Sequence, residues 1–126
     1  MSFIGNLLNS SLRILGYEIR HHSVLPTFER LSRLRFASGL GELPWLLQGV
    51  VRSMKPEVCV EIGSAQGKST CYIGSALAEI GKGDLYSIDP HQPTDWNDAQ
   101  SLDSLPILKQ NLAALGPGVE KRVQII

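Results

Sequence analysis

The feature that most constrains this chain is the change of pattern after Lys55-Pro56. A short apolar run, Val58-Cys59-Val60-Glu61-Ile62, leads into Gly63-Ser64-Ala65-Gln66-Gly67 and then into a helical pattern. A nearly continuous apolar run of this length predicts a strand covered on both faces, as in a parallel sheet. In the turn, Gly63 permits a sharp reversal, and Ala65 and Gly67 let a ligand approach the main chain closely. The helix follows over 68–80, with Ile73, Ala76, Leu77 and Ile80 as its buried stripe and Gly81 in the stop position. Its unpaired first N–H groups face the cleft at the C-terminal ends of the strands.

The alternation continues. Leu85-Tyr86-Ser87-Ile88 reads as a second strand, and 90–103 as a polar loop. Ser104 is placed to cap a further helix, with Pro106 near its first turn and Leu105, Leu108, Leu112 and Leu115 on one face. Gly116-Pro117-Gly118 ends that helix, and Val123-Gln124-Ile125-Ile126 is a third strand. Strand–helix–strand–helix–strand with right-handed crossovers predicts an α/β fold over 55–126: a Rossmann-like, doubly wound parallel sheet in the order 3-2-1. Three strands make one half of such a sheet, so the fold is expected to be incomplete within this chain, with an unpaired edge on strand one.

Residues 1–54 read as an N-terminal helical segment. Phe3, Ile4, Leu7, Leu8, Leu12 and Leu15 recur at helical spacing over 3–15, opposite Asn6, Asn9, Ser10 and Arg13. Such a helix suits packing on the domain or a partner, and its polar face has few basic residues for a membrane surface. Arg20-His21-His22-Ser23 reads as a linker whose adjacent histidines point to different faces, away from a shared metal ion. Helices are predicted over 27–36 and 42–54, the latter with Pro44 in its first turn and Leu43, Leu46, Val50 and Met54 repeating.

Lys plus Arg and Asp plus Glu both number 12 in the 126 residues, so no net field exists to hold a polyanion, and nucleic acid is not an expected partner. No apolar run approaches the roughly 20 residues of a membrane-spanning helix. Cys59 and Cys71 lie in apolar runs without metal-ligand spacing, which predicts buried, reduced thiols and a cytoplasmic protein.

Three ligand classes use a glycine-rich strand-to-helix turn. A P-loop needs Gly, four residues, then Gly-Lys-Ser/Thr; Gly67-Lys68-Ser69 supplies the tail, but Ile62 stands where the first glycine belongs. A dinucleotide site needs Gly-x-Gly-x-x-Gly, and Ala65 and Lys68 occupy the second and third glycine positions. The loop instead resembles that of the class I S-adenosylmethionine-dependent methyltransferases. Their first motif, a strand ending in an acid followed by Gly-x-Gly-x-Gly, is matched by Glu61, Gly63, Ala65 and Gly67, with alanine replacing the middle glycine. Their second, an acid ending strand two, is matched by Asp89 in Tyr86-Ser87-Ile88-Asp89. The wording of both motifs is most similar to small bacterial methyltransferase domains that accompany sugar or natural-product modification. The resemblance covers residues 57–126, the N-terminal half of such a domain.

This resemblance implies S-adenosylmethionine as cofactor and a small-molecule methyl acceptor. Asp89 is then expected to accept the two ribose hydroxyls, and Glu61 to lie near the cationic methionine end, through water or the amino group. As alternatives, Asp89 is a surface acid and Glu61 a strand-end charge. Trp96 fits equally a place over the adenine and a cap on the sheet edge. His91 reads as a loop histidine, solvated or lining the site. Asp95 and Asp98 lack the further oxygen ligands of a metal site, and none is expected. The acceptor pocket of this superfamily lies after strand four, so no catalytic residue is assigned, and the chain alone is expected to be inactive. The competing reading is a non-catalytic nucleotide- or cofactor-binding half-domain, or a P-loop-like protein. A homodimer through the open sheet edge or the N-terminal helix is a further expectation.

Overall fold

Residue alternation sets up a sheet with two unlike faces. In the computed structural model, which describes residues 25–36, 39–92 and 104–126, β1 (Val58–Ile62), β2 (Asp84–Ile88) and β3 (Val123–Ile125) pair in parallel in the order β1-β2-β3. The register sets Cys59 against Leu85, Glu61 against Ser87, and Leu85 against Val123. These side chains face the helices. Successive residues of a strand point to opposite faces, so Val58, Val60 and Ile62 share the other face with Tyr86 and Ile88.

The helices are α1 (Leu25–Ser32), α2 (Leu43–Met54), α3 (Lys68–Ile80), α4 (Ser104–Leu115) and α5 (Pro117–Glu120). The core lies between the sheet and α3, α4 and α5, where Cys71, Ala76, Leu77, Leu85, Leu108, Leu112 and Val119 are buried. Full burial of an aliphatic side chain of this size contributes about 1.5–3 kcal/mol. Leu31 of α1 and Val51 of α2 belong to the same core. Trp45 joins these helices to α3: it stacks on Phe28 at 5.0 Å and meets Tyr72 edge-on at 4.7 Å. Arg52 and Glu79 pair at 3.2 Å along the same seam.

The helix ends follow their residues. Gly81, at φ 75°, donates its N–H to the Leu77 carbonyl and ends α3 in a left-handed cap. Lys55 does the same for α2 at φ 49°, immediately before Pro56. The helix expected over 27–36 is Leu25–Ser32, with Pro26 in the first turn; the N–H groups of Arg33 and Leu34 then turn back to the carbonyls of Arg30 and Leu31. Gly116-Pro117-Gly118 does more than end α4. Proline is pre-set for the first position of a helix, and Pro117 opens the short α5. Arg122 ties β3 to the α3–β2 turn, its guanidinium donating to the carbonyls of Gly81 at 2.6 Å and Gly83 at 3.3 Å.

β1 departs from the reading as a strand covered on both faces. Val58, Val60 and Ile62 are 60%, 62% and 84% exposed, and among the described residues β1 pairs only with β2. The described helices cover the face of Cys59 and Glu61 and leave the wholly apolar face of Val58, Val60 and Ile62 exposed. The predicted helix over 3–15, the 20–23 linker and Trp96, Asp95 and Asp98 lie outside the described residues.

Cys71 is fully buried, and burial, with the Glu61 charge second, pushes its thiol up to about 12. Burial also raises the Cys59 thiol. A thiol reacts as its thiolate. Iodoacetamide at pH 8 is therefore expected to leave Cys71 unmodified in the folded protein and to label both cysteines in urea, read by intact mass. Rapid native labelling of Cys71 would contradict this packing.

Candidate functional site

β1 delivers the chain into three left-handed residues in alternation: Gly63 at φ 85°, Ala65 at φ 44° and Gly67 at φ 83°. Glycine adopts this region freely; alanine does so at a modest cost. The Gly63 N–H extends the ladder to the Ile88 carbonyl at 2.9 Å, and the Gly67 N–H closes the loop on the Ser64 carbonyl at 2.7 Å. Gly67 is the N-cap of α3 and its carbonyl receives the Cys71 N–H. The loop thus lies at the C-terminal ends of β1 and β2, beside the start of a helix.

The two glycines serve different ends. A Cβ on Gly63 would meet nothing within 4 Å, so this face of the loop is open. A Cβ on Gly67 would stand 2.1 Å from Cδ1 of the fully buried Leu108. The close approach that Gly67 permits is therefore the approach of α4.

Asp89 joins the loop to the end of β2. Its Oδ2 accepts the Ala65 N–H at 2.8 Å, and its Oδ1 accepts the His91 N–H at 2.7 Å. Its own N–H donates to the Ile126 carbonyl at 3.1 Å. Burial pushes this carboxyl up, but the N–H donors of Ala65 and His91, the His91 ring and the Ser64 N–H outweigh it and hold it below its ordinary value. Asp89 is ionised at neutral pH. With these N–H donors on it, the carboxylate still retains acceptor capacity. Because it also anchors the loop, Asp89 supports folding more than a strand-end surface acid would.

Glu61 points under the loop. Its Oε1 accepts the Ser69 hydroxyl, and its Oε2 accepts the hydroxyls of Thr70 at 2.6 Å and Ser87 at 3.2 Å. Ser69 and Thr70 lie in the first turn of α3, where the helix dipole also favours an anion. The carboxylate thus pins β1, β2 and α3 together beneath Gly63–Gly67.

The Nζ of Lys68 donates to the Gly41 carbonyl at 2.8 Å. The Gln66 carbonyl accepts Nδ2 of Asn111 at 3.1 Å, a second tie between the loop and α4. His91 is not a solvated loop residue: its side chain is 7% exposed. The Ser104 hydroxyl, expected as a helix cap, lies 2.8 Å from Nδ1 of His91. Among the described residues, no group of three or more metal-ligating side chains forms. Thr70 and Ser87 were not singled out by spacing; Ser69 stood only in the tail of a P-loop pattern, and Ser104 only as a helix cap. Ser87 carried one signal, being the polar residue on the otherwise apolar inward face of β2, directly opposite Glu61 in register.

A parallel sheet whose first strand feeds a left-handed small-residue loop into a helix, with an acid closing the second strand, defines a Rossmann-like α/β protein. Residues 60–126, slightly over half the chain, match a family model described as a methyltransferase domain, and the chain belongs to that family. The motifs that resemble class I methyltransferases, Glu61–Gly67 and Asp89, lie within the matched residues. The structure is similar to that of a proposed O-methyltransferase from Klebsiella pneumoniae, with TM-score 0.52 and 20% identity, covering 95% of this chain and 49% of that one. It also matches a proposed caffeoyl-CoA O-methyltransferase from Staphylococcus aureus, with TM-score 0.47 and 21% identity, covering 95% of this chain and 50% of that one. The chain thus spans about half the length of the solved structures it matches. No curated protein matches it.

Proposed function

We propose that this domain binds S-adenosylmethionine in the cleft above Gly63–Gly67, and that the protein transfers the methyl group to a small-molecule or sugar-type acceptor. The observation that carries this reading is the convergence of loop and acid: the Ala65 N–H and the Asp89 carboxylate meet at 2.8 Å at the C-terminal ends of β1 and β2. The residues present fit the cofactor. Gly63 leaves open space, Asp89 retains lone pairs for a ribose diol, and Ser64 Oγ is buried with no hydrogen-bond partner among the described residues.

In this reading Gly63, Ala65 and Gly67 shape the cradle and Asp89 holds the ribose. Glu61 acts on the cofactor by fixing the loop beneath it, its carboxylate being engaged by three hydroxyls. Trp96 is assigned to the adenine face. When bound, S-adenosylmethionine supplies an electrophilic sulfonium methyl. The chain's contribution is to hold that methyl in line with the acceptor, which accounts for much of the acceleration in such displacements. The P-loop alternative is disfavoured by Ile62 at the first glycine position and by Lys68, whose ammonium is engaged by the Gly41 carbonyl.

The same reading places the protein in the cytoplasm, consistent with the free thiols of Cys59 and Cys71. Among the described residues no helix is long and apolar enough to cross a membrane. A homodimer, through the β1 edge left unpaired among the described residues or through the N-terminal helix, belongs to the same reading.

Thermal shift separates the ligand classes. S-adenosylmethionine and S-adenosylhomocysteine are expected to raise the unfolding midpoint, while ATP and NAD leave it unchanged; at a hundredfold excess over Kd the gain is about 2.7 kcal/mol. A shift with ATP or NAD and none with S-adenosylhomocysteine would end the methyltransferase reading for this site.

A further inference from the structure

Among the described residues, three non-glycine residues have positive φ: Lys55, Ala65 and His91. Lys55 is a helix cap. The other two donate their N–H groups to the two oxygens of one carboxylate, that of Asp89. A left-handed backbone costs a residue with a Cβ roughly 1–2 kcal/mol and persists only where its surroundings enforce it. Ala65 sits within the loop that the Gly67 N–H closes on the Ser64 carbonyl, and that closure accounts for its backbone. His91 lies in the turn leaving β2, outside that loop.

What holds His91 is its ring. Nδ1 is 2.8 Å from the Ser104 hydroxyl and 3.7 Å from Oδ1 of Asp89, and the side chain is 7% exposed. Nε2 is buried with no hydrogen-bond partner among the described residues. The Nδ1 edge of the ring thus lies between the Ser104 hydroxyl and the Asp89 carboxylate. The geometry points to His91 as a positioning residue of the cofactor site: clasped by Ser104 at the start of α4, its ring keeps the residue-91 backbone left-handed, and so keeps the Asp89 carboxylate turned toward the glycine loop.

The chain of contacts is continuous. Ser104 holds the ring, the ring holds the turn, the turn's N–H holds Oδ1, and Oδ2 is left aligned on Ala65. A freed Asp89 can rotate away from both N–H donors, and the ribose acceptors rotate with it. The inference deepens the proposed function, resting on Asp89 as the ribose-binding acid, but its structural half concerns the ligand-free protein alone.

The test uses His91→Gly, which relieves the backbone strain while removing the ring, and His91→Asn, which tolerates left-handed φ and retains a side-chain donor toward Ser104. Amide hydrogen exchange at Ala65, measured by NMR on the ligand-free protein, reports the Asp89 contact directly. S-adenosylhomocysteine affinity by calorimetry reports the site. His91→Gly is expected to accelerate Ala65 exchange at least tenfold and weaken S-adenosylhomocysteine about tenfold, without lowering the unfolding midpoint. His91→Asn is expected to recover most of both. Ser104→Ala added to His91→Gly should cost nothing further. Altered exchange in a protein whose wild type binds no S-adenosylhomocysteine would uphold the clasp and overturn the cofactor reading. Unchanged Ala65 exchange in His91→Gly would overturn the clasp.

Discussion

Gly67→Val is expected to destabilise the domain by about 2–5 kcal/mol, enough to unfold much of a marginally stable protein. Two effects add. At φ 83° any side chain is strained, and a β-branched one is disfavoured further. The new Cβ would stand 2.1 Å from Cδ1 and 3.3 Å from Cγ of Leu108, whose side chain is fully buried in the core and has no free volume to enter. α4 must shift, and the contact between Asn111 and the Gln66 carbonyl shifts with it. Gly63→Ala is the control. Its φ is 85°, but nothing lies within 4 Å of the added Cβ, so only the strain of about 1–2 kcal/mol applies. Urea titration of both variants, with unchanged m values, separates strain from overpacking. Equal losses at the two positions would mean that Leu108 does not press on Gly67.

Glu61→Ala is expected to cost about 3–5 kcal/mol. Hydrogen bonds to a charged group contribute about 1.5–3 kcal/mol each and are not additive within one cluster. Three hydroxyls lose their acceptor: Ser69 and Thr70 in the first turn of α3, and Ser87 in β2. Glu61→Gln is far milder, about 1 kcal/mol, because a hydroxyl can turn and accept from the new amide while the remaining oxygen still accepts. Ser87→Ala combined with Glu61→Ala should lose less than the sum of the single changes. A denaturation midpoint that is unmoved by Glu61→Ala would show that the carboxylate faces solvent instead of this cluster.

The parts of this fold that were legible in the sequence are those set by local pattern. The run Val58–Ile62, the small-residue turn and Gly81 place β1, the loop and both ends of α3, because strand period, left-handed turns and helix stops are short-range properties. Asp89 was legible from its position at the end of β2. What was not legible depends on residues far apart in the chain. Nothing near Gly67 announces that Leu108 fills the space beside it. Nothing near His91 announces Ser104, and a polar loop sequence reads as solvated whether or not its histidine is buried. Glu61 shows the same limit: its motif position marks it as important, while its engagement by Ser69, Thr70 and Ser87 emerges only when β2 and α3 are set beside it. The face of β1 that the described residues leave exposed is a related case, since an apolar run records what a strand can bury and not what covers it. At Gly116-Pro117 the signals overlapped, a stop for one helix and a start for the next.

The central claim, that the loop and Asp89 together form an S-adenosylmethionine site, is tested most directly by calorimetry with S-adenosylhomocysteine on the wild type and Asp89→Ala. The wild type is expected to bind, and the mutant to bind more weakly by about 1.5–3 kcal/mol, the loss of hydrogen bonds to a charged acceptor. The loop also loosens when Ala65 loses its partner, so a small drop in stability accompanies the loss. Equal affinity in the two proteins, or tighter binding of ATP than of S-adenosylhomocysteine by the wild type, would contradict the account.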